Sequence, residues 1–196
     1  MYSMMEPKRC AWCDLKSKLY VDYHDKEWGV PCRDDRKLFE FIVLEGAQAG
    51  LSWLTILNKR EAYKKAFDNF NYDKVSLYDS SDLERLLNNP GIVRNKLKIK
   101  SAITNAIAFK NIVLTHGSFS NYIWGFVNYK PIKRDWSKDN FAPASTSLSS
   151  LISQDMRKKG FKFFGPTICY AFMQAMGLVD DHEPSCYKFS PTQGRV

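Results

Sequence analysis

The stretch LFEFIVLEGAQAGLSWLTIL, residues 38–57, joins a strongly apolar run to a patch of small residues bracketed by two glycines. Its first part is apolar on most of its circumference, which is typical of a buried helix and predicts one over residues 34–45. Gly46 and Gly50 then predict a break. A second helix is expected over residues 51–67, so two helices meet at a corner made of small residues.

Helical periodicity continues along the chain, and strand-like alternation is scarce. Ser81 and Glu84 have capping-box spacing and predict a helix start, with the helix ending near Asn88. Further helices are expected from after NPGIV to about residue 113, over 118–128, 148–160 and 166–177, with an irregular crossover at 130–145. The fold class is therefore all-α, with a single domain over 1–186, a loosely held chain beyond Asp181 and a polar tail over 187–196.

Composition narrows the classes of function. The chain has 196 residues and a net charge of +8, with a sequence pI near 9.2. Such a surplus suits a polyanionic partner, although a merely basic protein would have the same charge. No apolar run reaches the roughly 20 residues of a membrane span, and the first residues lack a signal-peptide core. We expect a cytoplasmic protein, monomeric and without a membrane partner.

Cysteine and histidine residues at both ends of the chain could hold one metal ion. His182 and Cys186 are spaced as a His-x3-Cys pair, and Cys10, Cys13 and His24 lie near the N-terminus. Zinc favours four such ligands in structural sites. Cys10 can pair with Cys13 or with His24, and spacing alone favours the Cys-x2-Cys pair.

The NPGIV turn, residues 89–93, is followed by a basic run. A helix–hairpin–helix of this kind would direct the N–H groups around Gly91 to Val93 toward a DNA phosphate, with Gly91 suited to a positive φ. The alternative is an ordinary turn before a solvated basic face. The basic side chains that could contact phosphate are Arg94, Lys96, Lys98 and Lys100.

Glu45 lies in the middle of the apolar face of the first helix. A buried carboxylate needs a partner or a purpose. The small residues that follow would leave room beside it, and Tyr23, Trp28 and Trp53 could wall that room. The alternative is a structural glutamate paired with an arginine among ordinary core aromatics.

These motifs together resemble the bacterial 3-methyladenine DNA glycosylase I family of the helix–hairpin–helix superfamily. The resemblance runs from about Cys10 to Cys186. It is carried by YHDKEWGVP, LFEFIVLEGAQAGLSWLTIL, NPGIVRNKLKI, KKGFKFFGPTICYAFMQAMGLVDDH and the final cysteine.

The resemblance implies an enzyme that flips 3-methyladenine out of double-stranded DNA, hydrolyses its N-glycosidic bond and leaves an abasic site. Glu45 would be the catalytic-site carboxylate that reads the base. Tyr23, Trp28 and Trp53 would make aromatic contacts with the base. Leu51 would contact the DNA as a wedge, and further DNA contacts would come from Gly91, Val93, Arg94 and Lys96. The ligands of a structural zinc ion would be Cys10, His24, His182 and Cys186.

The region after the hairpin has no aspartate to assist water and no evident lysine nucleophile. A monofunctional glycosylase is therefore expected, with Lys96 and Lys98 as phosphate contacts or solvated charges. Two other classes of protein are considered. A DNA-binding module whose termini are joined by zinc would have the same hairpin but would not need Glu45. A zinc hydrolase would need an open coordination position on the metal, which four protein ligands disfavour.

Overall fold

The computed structural model describes residues 6–137 and 141–190, and this part of the chain is mostly helical, as expected. Two two-residue strands and a short 3-10 turn at Asp68–Phe70 complete it. The helices are α1 Lys18–Lys26, α2 Asp35–Gln48, α3 Trp53–Ala66, α4 Tyr72–Val75, α5 Ser80–Leu87, α6 Lys96–His116, α7 Phe119–Gly125, α8 Ser147–Lys158 and α9 Pro166–Ala175, and the strands are β1 Ile132–Lys133 and β2 Val179–Asp180.

Helix α2 is the centre of the structure. Every residue from 38 to 47 is buried, and the helix contacts α3, α6, α7 and α9. Asp34 caps its N-terminus by accepting from Lys37 N, and Asp35 accepts from Phe119 N and Ser120 N at the start of α7. Apolar residues on every face of α2 therefore match its position in the structure, where neighbouring elements pack against each face.

Several helix ends differ from the sequence prediction. Helix α2 continues through Gly46 to Gln48, because glycine within a well-packed helix is tolerated despite its low propensity. The predicted capping box at Ser81 is wrong: Asp79 caps α5, and Asp82 at the third helical position returns the contact. Helices α1 and α4 are not among the helices that the sequence predicts.

The described part of the chain after Asp181, residues 182–190, is held against the rest of the protein, unlike the loosely held chain that the sequence predicts. Strand β2 leads into it and pairs in parallel with β1, and Asp181, His182 and Cys186 are all buried. Tyr187 N donates to Lys8 O at 2.8 Å, which joins the two ends of the described chain. The predicted polar tail falls in part on residues 191–196, which lie outside the described residues.

Helix length and polarity also bear on membranes. In the described part of the chain, no helix is long and apolar enough to cross a bilayer. The 21-residue α6 has the length but carries basic residues in its first turn.

Candidate functional site: an aromatic cavity beside a cysteine–histidine cluster

A cavity of about 370 Å³ opens between α1, the ends of α2 and α3, and α9. Glu45, Tyr23, Trp28 and Trp53 all line it, so the structure brings together the four residues that the sequence singles out for a pocket. The other lining residues are Trp12, Tyr20, Gln48, Trp136, Phe141, Ala142, Ala171, Gln174, Asp181 and Glu183.

Aromatic rings form much of the cavity lining. The ring centroids of Tyr23 and Trp53 are 5.4 Å apart, and those of Trp12 and Trp28 are 4.9 Å apart. Sequence reasoning missed Trp12 and Tyr20. Tyr20 lies one helical turn before Tyr23, a spacing that could have indicated a shared face, whereas Trp12 comes from an irregular segment without periodicity.

Glu45 projects from the last turn of α2 and is only 4% exposed. Burial raises the pKa of its carboxyl group to about 8. Among the described residues no hydrogen bond reaches this carboxyl, and Arg60 instead binds Glu40 and Glu27. The alternative of a structural glutamate–arginine pair therefore applies to Glu40, and Glu45 is left facing the cavity without a partner.

A second carboxylate, which the sequence analysis does not single out, lies at the cavity wall. Asp181 follows β2, and its Oδ2 accepts from Tyr170 Oη at 2.5 Å and from Gln174 Nε2 at 2.8 Å. Its Oδ1 is buried and has no hydrogen-bond partner among the described residues. Gln174 and Tyr170 both come from α9, so this helix orients the carboxylate.

Cys10, His24 and Cys186 form a buried cluster whose ligand atoms all lie within 4.8 Å of one another. Cys13 is not part of this group, since its Sγ faces Tyr20 O at 3.9 Å. The structure therefore does not support the Cys-x2-Cys pairing that spacing favours, because α1 places His24 beside Cys10 while Cys13 lies outside the group.

His182 stands next to this cluster. Its ring centroid is 5.5 Å from that of His24, and its buried Nε2 has no hydrogen-bond partner among the described residues. His24 Nδ1 contacts Asp25 Oδ1 at 2.8 Å, and His182 Nδ1 contacts Asp180 Oδ1 at 2.7 Å. A carboxylate at Nδ1 orients a histidine to ligate a metal through Nε2, and both histidines have this arrangement.

The cluster and the cavity share a wall. The indole of Trp28 lies 4.8 Å from the His182 ring, and the indole of Trp12 lies 5.3 Å from the His24 ring, centroid to centroid. Protein interiors pack closely, so a histidine ring held in one position also restrains the ring that packs on it. Holding His24 and His182 in place would therefore restrain Trp12 and Trp28 at the cavity.

The turn between α5 and α6 differs from the expected phosphate-binding arrangement. Gly91 N donates to Asn89 Oδ1 at 2.8 Å, and Val93 N donates to Tyr63 Oη at 3.1 Å. Both N–H groups are thus engaged within the protein.

The role expected of Gly91 also changes. Its φ is not in the left-handed region, and a Cβ there would lie 2.8 Å from Ala62 Cβ. Gly91 is required because the turn packs closely on α3. Arg94 and Lys96 are exposed beside it.

Leu51 lies at the corner between α2 and α3 and is 40% exposed. Gly50 precedes it with a φ of +78°, and Ser52 follows as the N-cap of α3. The positive φ turns the chain sharply, so that an apolar side chain protrudes beside the cavity instead of packing into the core.

The profile of the methyladenine glycosylase family matches residues 12–189. The chain is 46% identical over 178 residues to the DNA-3-methyladenine glycosylase of Haemophilus influenzae, and the alignment covers 91% of this chain and 96% of that protein. It is also 46% identical over 179 residues to DNA-3-methyladenine glycosylase 1 of Escherichia coli, covering 91% and 95%. A crystal structure of 3-methyladenine DNA glycosylase I aligns with a TM-score of 0.89 at 45% identity, covering 93% of this chain and all of that one. Sequence and fold likeness therefore extend together over most of the molecule, and the chain belongs to the methyladenine glycosylase family.

Proposed function

We propose that this protein is a DNA repair glycosylase that hydrolyses the N-glycosidic bond of 3-methyladenine in alkylated DNA. The observation that carries the proposal is the aromatic cavity with Glu45 buried at its wall and without a partner. A base within a duplex is inaccessible, so the damaged nucleotide is flipped into the cavity at a cost of about a few kcal/mol.

The cavity suits a cationic purine. Tyr23, Trp28 and Trp53 present aromatic faces, which attract cations, and Glu45 accepts the amino hydrogens of the base. With a pKa near 8, this carboxyl group is mostly protonated at neutral pH in the free protein. A positive ring beside it favours the ionised form, so binding of the cationic base is coupled to loss of the proton from Glu45.

The chemistry then needs little acid catalysis. Water attacks C1′ of the sugar, the bond from C1′ to N9 breaks, and its electron pair neutralises the positive purine, which leaves as neutral 3-methyladenine. The attacking water loses one proton to solvent. Residues 88–113 contain no Asp or Glu that could act as a base next to the hairpin. Because the cationic purine departs without needing a proton, Glu45 acts chiefly by recognition and electrostatic stabilisation, and a monofunctional enzyme leaves an abasic site.

Contacts with double-stranded DNA come from the surface around the cavity. Leu51 enters the gap that the flipped nucleotide leaves, and Arg94 and Lys96 contact phosphates through their exposed side chains. Gly91 and Val93 contribute by shaping the helix–hairpin–helix turn. A net charge of +8 favours the complex through counterion release, and the protein acts as a cytoplasmic monomer.

A zinc ion would be held by Cys10, His24, His182 and Cys186. The orphaned Nε2 of His182 and the carboxylates behind both histidines fit such a group. Bound there, zinc supplies a structural cross-link between the two ends of the domain over residues 1–186. These residues hold the cavity wall in place and take no part in bond breaking.

The test uses duplex DNA treated with a methylating agent and a chromatographic assay of the released bases. The wild-type protein should release 3-methyladenine, and Glu45→Gln should lose most of this activity while retaining helicity and zinc. Glu84→Gln, at an exposed position on α5, is the matched control and should behave as wild type. A protein that binds the duplex without releasing the base would instead be a DNA-binding module.

A further inference from the structure

Lys98 lies in the first turn of α6, immediately after the turn between α5 and α6, and its ammonium group points into the protein. Its Nζ donates to Ala47 O at 2.9 Å and to Ala49 O at 2.6 Å. The basic run predicts a phosphate contact or a solvated charge here, whereas in the structure two backbone carbonyls of a distant segment hold the ammonium group.

Those carbonyls belong to the C-terminal end of α2, which has no basic residue in its last turn. Leu51 N donates to Gln48 O at 2.6 Å and so does not continue the helical bond to Ala47 O. The oxygens of Ala47 and Ala49 would otherwise be orphan acceptors at the negative end of the helix dipole. Lys98 therefore caps α2 from another helix.

The capped segment carries the groups that the proposed reaction needs. Glu45 lies in the last turn of α2, and Leu51 follows two residues after Ala49. We refer to residues 45–51 as the corner. Without the cap, the last turn could fray, and both the carboxylate and the protruding leucine would lose their positions.

The turn that precedes Lys98 is itself held firmly. Lys59 Nζ donates to Pro90 O at 3.2 Å, and Tyr63 Oη accepts from Val93 N. Two side chains of α3 therefore hold the turn by hydrogen bonds. Asn95 caps α6 by accepting from Leu97 N and from the N–H of Lys98. Lys98 thus connects a rigid hairpin to the corner.

We infer that Lys98 is a positioning residue that fixes the corner relative to the hairpin, so that contact between the hairpin and the DNA backbone places Leu51 and Glu45 at the damaged nucleotide. The inference rests on the proposed function. It assigns to a basic residue of the hairpin helix a role in base flipping and excision that does not involve phosphate.

The experiment compares Lys98→Met, Lys98→Arg and Lys158→Met. Methionine keeps the length of the side chain without its charge, arginine keeps a cationic donor, and Lys158 is an exposed cation in the last turn of α8, outside the hairpin. Three quantities are measured: the single-turnover rate of 3-methyladenine release at saturating protein, the salt dependence of affinity for a duplex with an abasic-site analogue, and amide hydrogen exchange over residues 44–52.

Lys98→Met should lower the single-turnover rate about tenfold, the scale expected for losing a charge-assisted hydrogen bond. It should speed exchange at the corner and leave the salt slope unchanged. Lys98→Arg should restore most of the rate, and Lys158→Met should keep it. Where Lys98→Met does not fold, Lys98→Gln, which retains one donor group, takes its place.

A salt slope reduced by about one, the signature of a lost phosphate contact, would overturn the inference, and so would an unchanged rate or unchanged exchange. If the wild-type protein releases no 3-methyladenine, the proposed function fails. The exchange and salt measurements still decide in that case whether Lys98 holds the corner or binds phosphate.

Discussion

Replacing Glu45 with glutamine should make the protein more stable at neutral and alkaline pH while removing its activity. The folded carboxyl group has a pKa near 8 against an ordinary value of 4.5, and burial alone causes the shift. Between these two values the unfolded chain is ionised and the folded protein retains its proton. The wild-type protein therefore loses stability as pH rises through this window, by about 1.4 kcal/mol per pH unit.

The loss reaches about 3 kcal/mol at neutral pH, a large fraction of the stability of a typical domain. Glutamine has nearly the same shape and does not titrate, so the variant avoids this loss. The difference in free energy of unfolding between Glu45→Gln and wild type should therefore rise by ~2.5 kcal/mol from about pH 5 to about pH 7. A constant offset from burying an amide does not affect this slope.

Urea unfolding followed by tryptophan fluorescence measures the difference at each pH, with equal zinc content in both proteins so that metal effects cancel. Glu84→Gln is the control, because it makes the same chemical change at an exposed carboxylate in α5 that does not line the cavity. A flat difference for Glu45→Gln as well would show that the carboxyl group titrates normally, and the argument that the cavity desolvates it would be refuted.

Three further outcomes test other parts of the structure. Gly177→Ala should lower the free energy of unfolding by ~3 kcal/mol or more, because its Cβ would lie within 2.7 Å of backbone atoms before α2. Gly50→Ala, also at positive φ but with no atom within 4 Å, should lower it by only ~1 kcal/mol. Equal losses in urea unfolding would contradict this. His182→Ala should lose zinc by elemental analysis and Cys13→Ser should keep it, and the reverse would show that the wrong ligand set has been assigned. Leu51→Ala should leave thermal stability within ~0.5 kcal/mol because the side chain is 40% exposed, yet reduce excision, and full excision would exclude a wedge role.

Much of the fold follows from local patterns. The all-round apolar character of α2 predicts its burial, and Pro166 and Gly177 mark the start and the turn after α9. The same patterns place Glu45 on an apolar face, from which an unpartnered buried carboxylate can be anticipated. These predictions succeed because helical periodicity and end signals act within a few residues of one another.

Contacts between distant segments did not follow from those patterns. Spacing favours Cys13 as a partner of Cys10, but α1 and the buried C-terminal segment bring His24 and Cys186 there instead. Basic residues in a row look alike in sequence, yet one of them, Lys98, turns inward.

The division has a physical cause. Whether a residue lies in a helix, and on which face of it, depends on its near neighbours in the sequence. The position of Glu45 on an apolar face, next to small residues, can therefore be predicted. The partner of a group depends on how helices pack, and that packing joins Lys98 to carbonyls some fifty residues earlier in the chain. The amino-acid order therefore specifies which groups can form a pocket and a metal site. The packing of distant segments determines which of them meet: α2 against α3, α6 and α9 at the pocket, and α1 and the C-terminal segment at the cysteine–histidine cluster.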